Sequence, residues 1–296
     1  LDSINPNQIK AVESKLDLTR TLFIVSSKSG STLETDLLRQ YFFEKLRGLF
    51  GEMQAGHHFL AITDPKSKLK KIAETHHFRS ILLGDPSIGG RFSALSIFGK
   101  VPGVLMGMDI AKFINRANYM VKACNASAEE INNPGLILGT ILAILGYQQK
   151  NKVTFIVSPE ISGISSWLEQ LLAESTGKKG KGFIPIEGEK MGPPEVYSSD
   201  RIFIYLRLIQ TKQLKLDKAV EKIQKAGHPV IRIVVDDLYN LSQEFFRWEI
   251  AIAVAGSILQ INPFNQPDVE VSKFATNKLV AQHKKTGLLP LENPIL

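Results

Sequence analysis

Short apolar, β-branched or aromatic runs recur along the chain with room for a helix between them: TLFIVSS from Thr21, FLAIT from Phe59, SILLG from Ser80, VTFIVS from Val153, GFIPI from Gly182, RIFIYLRL from Arg201 and VIRIVV from Val230. Each is nearly continuous in its apolar character, which suits a strand covered by helices on both faces. Their alternation with helical patterns predicts an α/β fold of doubly wound parallel sheets in three αβα layers.

Two blocks of this pattern flank a helix-like stretch from Met108 to Asn151, in which Asn132-Asn133-Pro134-Gly135 is a turn and helix-start signal. The organisation expected is a first sheet domain over 1–125, a second over 126–262 and a tail over 263–296. From Asp268 to Lys285 the apolar and small residues return at helical spacing with no strand after them, so a terminal helix lying across one of the domains is expected, with Pro290 and Pro294 in an irregular tail. The first block holds three good strands where a doubly wound sheet usually has about five. Either that sheet is small, or a strand and a phosphate-facing loop precede Leu1.

Composition narrows the class. With 296 residues, 44% of them apolar and 22% charged, the chain can bury a sizeable core. The apolar stretch Ile250–Ile261 is too short to span a bilayer, and no signal peptide is apparent. The single cysteine, Cys124, allows neither an internal disulfide nor a cysteine-based zinc site, which is compatible with a cytoplasmic protein. The net charge of +7 favours an anionic partner. Nucleic acid fits poorly: apart from Lys178, Lys179 and Lys181 the basic residues are scattered, and the aromatics do not interleave them. A small phosphorylated substrate fits better.

Four segments hold candidate chemistry. Ser26-Ser27-Lys28-Ser29-Gly30-Ser31-Thr32-Leu33-Glu34-Thr35 lies between a strand and an amphipathic helix. Helix N-terminal N–H groups, clustered hydroxyls and a glycine can hold a phosphate without a metal; an ordinary capping box of Ser31 and Glu34 is the competing account. Ser87-Ile88-Gly89-Gly90-Arg91-Phe92-Ser93 also follows a strand, at the carboxyl end where ligands of such sheets gather. There Arg91 could stabilise developing negative charge, although a surface arginine after a turn is commoner. In Trp167 to Lys178, Glu174 lies near the end of a helix whose dipole disfavours its charge, which would equip it as a base; a solvated glutamate is the ordinary outcome. In Asn262 to Lys273, two prolines rigidify a turn, Pro267 suits a helix start, Gln266 stands at the entrance and Lys273 about two turns in.

These four segments, in this order, resemble the phosphoglucose isomerase family, in which two sugar-isomerase (SIS) domains are followed by a helical tail. The text is most similar to the isomerase half of the fused transaldolase and phosphoglucose isomerase proteins of bacteria. The resemblance implies that Ser27, Lys28, Ser29, Thr32 and Thr35 belong to the phosphate loop, and that Glu174 moves a proton between C1 and C2 of glucose 6-phosphate or fructose 6-phosphate through an enediol. Arg91 would stabilise the intermediate beside the backbone of Gly90, Gln266 would contact substrate, and Lys273 would assist ring opening. It implies a homodimer without metal or organic cofactor. The competing function is a non-catalytic sugar-phosphate-binding module, since fold alone does not decide between them; acceptance of mannose 6-phosphate is a further possibility.

Two departures from the family pattern stand out. The family opens the ring with a histidine where this chain reads Gly192-Pro193-Pro194-Glu195-Val196-Tyr197-Ser198-Ser199-Asp200-Arg201. His228 immediately precedes a strand, and His57, His58, His76, His77 and His283 are expected at the surface. A Gly-Gly-Ser loop that helps to form the family's sugar site is also absent from the sequence, and would be expected before Leu1.

Overall fold

The computed structural model describes residue 1, residues 3–125 and residues 132–290. All seven apolar runs contain strands: β1 (Phe23–Ser26), β2 (Phe59–Thr63), β3 (Ser80–Leu83), β4 (Lys152–Val157), β5 (Ile184–Ile186), β6 (Arg201–Leu208) and β7 (Val230–Val235). The chain divides into two compact units, Leu1–Asn118 and Tyr119–Leu296, each with its own parallel sheet. The start of the second domain expected at 126, and Pro294, lie outside the described residues.

The first unit contains α1 (Pro6–Glu13), α2 (Leu33–Phe50), α3 (Glu52–Gly56), α4 (Lys68–Thr75), α5 (Ile97–Leu105) and most of α6 (Ile110–Ala123). Its strands run in the order β1-β2-β3, with Phe23 opposite Phe59 and Leu60 opposite Ser80. The central strand β2 is buried along its whole length, which is why its five residues FLAIT carry no charge. Val25, Phe42, Phe43, Leu46, Phe59 and Leu69 form the core beside it, each large side chain contributing roughly 1.5–3 kcal/mol. Short polar residues start the helices: the Asn5 side chain accepts from the Asn7 N–H before α1, and Ser67 accepts from the Lys70 N–H at the head of α4.

The second unit contains α7 (Pro134–Tyr147), α8 (Gly163–Thr176), α9 (Leu214–Lys225), α10 (Leu241–Leu259) and α11 (Pro267–Thr286). The Asn-Pro signal starts α7 as expected: Pro134 is its first residue and the Asn133 side chain accepts from the Leu136 N–H at 3.0 Å. The strand order β5-β4-β6-β7 reverses direction at β4, the mark of a doubly wound sheet. Pro185, which cannot donate to a ladder, is confined to the edge strand β5. Successive residues of β4 point to opposite faces and meet different helices. Ile156 packs in the cluster with Val220 and Ile223 of α9, while Phe155 meets Trp248 of α10 edge-on at 6.0 Å. The helix α11 forms over the expected span, yet from Val271 to Thr286 every side chain except Val280 is exposed, so the expected packing across a domain is not seen. Among the described residues no helix is long and apolar enough to cross a membrane.

Candidate functional site

In the first unit, three loops leave the carboxyl ends of β1, β2 and β3. The β1 loop begins with the buried Ser27, whose hydroxyl lies 3.2 Å from that of Thr32 and so closes the loop on itself. The Thr63 hydroxyl, at the end of β2, donates to the Ser27 carbonyl at 2.6 Å and lies 2.7 Å from Ser67 Oγ. Gly30 has φ of +66°, and a Cβ there would stand 2.5 Å from the Leu69 backbone nitrogen at the head of α4. Both conformation and close approach therefore demand glycine. Outside this frame, Ser29 and Ser31 hold their hydroxyls 2.8 Å apart at the surface.

The capping box of Ser31 and Glu34 does not form. The residue that caps α2 is Thr32, and its side chain makes no capping hydrogen bond because the hydroxyl turns to Ser27. The positive end of an eighteen-residue helix thus opens onto a loop of small hydroxyl residues, with Thr35 in its first turn. That arrangement can bind a phosphate by backbone N–H groups and hydroxyls. Asp36 on the same turn is held below the usual carboxylate range: burial pushes it up, but hydrogen bonds from Arg39 (2.7 Å) and Lys68 (3.1 Å) outweigh that. Its charge is thereby paired with Arg39 and Lys68.

The Lys28 side chain is engaged within the protein. Its ammonium donates to both carboxylate oxygens of Asp64, at 2.9 and 3.0 Å, and to the Asp85 carbonyl at 2.7 Å.

The β3 loop carries Gly89, Gly90 and Arg91 in a short turn closed by the Ser93 hydroxyl, which donates to the Gly90 carbonyl at 2.6 Å. Arg91 is buried, not the surface residue that its setting suggested. Gly90 is neither strained nor crowded: a Cβ there would meet nothing within 4 Å. The fold does not require that glycine, whose backbone is exposed.

In the second unit, Glu174 lies half-buried in the last turn of α8 and accepts from Gln170 Nε2 at 3.1 Å. The segment after it is tied to the end of α10. Lys178 is buried and donates to the Ser175 carbonyl (3.0 Å) and to the Asn262 carbonyl (2.7 Å), and Lys181 donates to the Leu259 carbonyl (2.9 Å). The third and fourth segments of the sequence are thus brought together, with Gln266 at the entrance of α11 and Lys273 exposed two turns on. Both lie beyond the amino ends of the strands. Thr176 accepts the Phe183 N–H just before β5 begins, so Glu174 stands opposite the carboxyl ends where the sheet rule places ligands.

His57 and His58 precede β2, and His76 and His77 precede β3, at the end of the first sheet opposite the hydroxyl loop. His228 precedes the edge strand β7, packs on Phe203 and Tyr197, and is three strand spacings, roughly 14 Å, from β5. Sequence reasoning missed Asp64 and Asp85; the available signal was an aspartate directly after each of two buried-strand patterns, FLAIT and SILLG.

Comparison with known proteins bears on this arrangement. A family model described as phosphoglucose isomerase matches residues 1–184. The glucose-6-phosphate isomerase of Parabacteroides distasonis is 29% identical over 287 residues, covering 83% of this chain and 64% of that protein. The glucose-6-phosphate isomerase of Methanocaldococcus jannaschii is 26% identical, covering 95% of this chain and 77% of its own length. This chain therefore spans about two-thirds to three-quarters of these relatives. Among solved structures, a protein of Thermus thermophilus described as hypothetical superposes with a TM-score of 0.84 at 25% identity, covering 95% of this chain and 76% of that one.

Proposed function

Since the chain belongs to the phosphoglucose isomerase family, we propose that it interconverts glucose 6-phosphate and fructose 6-phosphate. The observation that carries this reading is the hydroxyl loop at the uncapped head of α2, a phosphate seat inside the matched part of the sequence. The relatives named glucose-6-phosphate isomerase support it.

In this reading the hydroxyls of Ser27, Ser29, Thr32 and Thr35, with the backbone of Lys28, hold the phosphate. Glu174 removes the proton from C2 of the open aldose and returns it to C1, so the electrons pass through an enediol and the carbonyl moves from C1 to C2. Arg91 and the backbone N–H groups near Gly90 stabilise the negative oxygen that develops. Gln266 orients the sugar, and Lys273 serves ring opening in place of the family histidine. A proton shuttle and a fixed cation suffice for this chemistry, without a cofactor. The protein would act as a cytoplasmic homodimer, related to the isomerase half of transaldolase fusions.

The test is conversion of fructose 6-phosphate by the purified protein and by Glu174→Gln. The proposal expects turnover that falls about 10²–10⁴-fold in the variant, the range for losing a general base, with phosphate affinity retained. Substrate binding without turnover in the unaltered protein would instead establish a sugar-phosphate-binding module.

A further inference from the structure

The ammonium of Lys28 has three protons, and three oxygens take them: Asp64 Oδ1 and Oδ2 and the Asp85 carbonyl. The ion pair is well shielded, with the Lys28 and Asp64 side chains 18% and 21% exposed. The Phe98 ring lies 5.4 Å from the ammonium and covers it. The space for this cluster is made by Gly84, where a Cβ would stand 3.0 Å from Asp64 Oδ1 and 2.5 Å from the Phe98 ring. Lys28 sits in the hydroxyl loop after β1, Asp64 in the loop after β2, and Asp85 at the start of the loop that leads through Ser87 to Gly90 and Arg91. Backbone bonds reinforce the first junction, since the Asp64 N–H donates to the Lys28 carbonyl at 3.2 Å. From β1 to β3, by contrast, the Lys28 ammonium reaches over the intervening strand.

We propose that Lys28 is a positioning residue, a clasp with Asp64 that sets the anion loop at a fixed distance from the Arg91 loop, and that its side chain does not touch the anion. The inference rests on the isomerase reading for its kinetic consequence and on the geometry alone for its binding consequence.

The two possible roles of the ammonium predict opposite signs for Asp64→Asn. As a clasp, Lys28→Met and Asp64→Asn each lower kcat about tenfold, the double variant is no worse than either single one, and the affinity for inorganic phosphate stays within about threefold of the unaltered protein. As a direct ligand, Lys28→Met weakens inorganic phosphate tenfold or more, whereas Asp64→Asn frees the ammonium and tightens it. The experiment is titration of inorganic phosphate by calorimetry with kcat and KM for fructose 6-phosphate on all four proteins, their folding checked by circular dichroism. Tighter phosphate in Asp64→Asn, or kcat losses that multiply in the double variant, overturn the clasp. If Lys28→Met alone fails to fold, the double variant, which leaves no unpaired carboxylate, carries the comparison. Absence of turnover in the unaltered protein refutes the isomerase reading and leaves the sign of the phosphate change in Asp64→Asn to decide the clasp; absence of phosphate binding as well overturns the clasp together with the anion loop.

Discussion

Three glycines of one unit show how differently the same residue can be required. At Gly30 the positive φ and the 2.5 Å approach to Leu69 leave no place for a methyl group. At Gly84 the crowding comes from Phe98 and Asp64. At Gly90 there is neither, so the fold tolerates a side chain there, and under the proposed function it is the substrate that would exclude one. Gly30→Ala is expected to destabilise the protein by roughly 1–3 kcal/mol and to weaken phosphate binding. Gly90→Ala is expected to leave stability within about 0.5 kcal/mol while raising KM for the sugar phosphate. Thermal denaturation beside kinetics separates the two, and equal melting losses would show that Gly90 is a structural residue after all. Arg91 offers a complementary lesson: a glycine-rich turn suggested exposure, but the turn folds inward and the cation is buried.

At the scale of elements, α10 holds the charged groups that the apolar pattern least explains. Burial lifts Glu249 to about 8, and it lifts Glu244 to about 7 against the pull of Arg247 at 3.2 Å. One oxygen of each carboxyl is buried without a hydrogen-bond partner. Because the folded protein binds these protons more tightly than the unfolded chain, their stabilising contribution is complete below about pH 4.5 and is lost as pH rises through 7 and 8. Stability is therefore expected to fall between pH 5 and 8. Glu249→Gln should flatten that fall by on the order of 2–4 kcal/mol, measurable as melting temperature against pH for both proteins; identical slopes would show that Glu249 is solvated. The strands were legible as elements because each is a continuous apolar run. Their ends were trimmed by the ladders: Thr21, Leu22, Gly182 and Phe183 belong to the runs but lie outside β1 and β5. The pattern likewise announced α11 but not its exposure, since helical spacing records periodicity and not what covers the face.

For the whole molecule, the charge of +7 acts on any dianionic substrate at a distance, before the loop hydroxyls engage. KM for fructose 6-phosphate is expected to rise several-fold between about 0.02 M and 0.2 M sodium chloride, as the Debye length shrinks to about 7 Å, with kcat little changed. A KM independent of salt would assign recognition to the hydroxyls and helix N-terminus alone.

The sequence by itself determined the seven strands, the two parallel sheets, the hydroxyl-rich turn at the head of α2 and the helix ends that carry Glu174 and Gln266, because each is written in residues close together along the chain. Tertiary structure alone decided which groups meet. Lys28 finds Asp64 and the Asp85 carbonyl across two further strands, and Lys178 finds the Asn262 carbonyl 84 residues on. Arg91 turns inward, and Glu174 comes to stand at the amino ends of its sheet. Local propensity fixes an element and the face it buries, but a polar partner is chosen by where folding leaves an unmet charge or carbonyl, and that is set by contacts far apart in sequence.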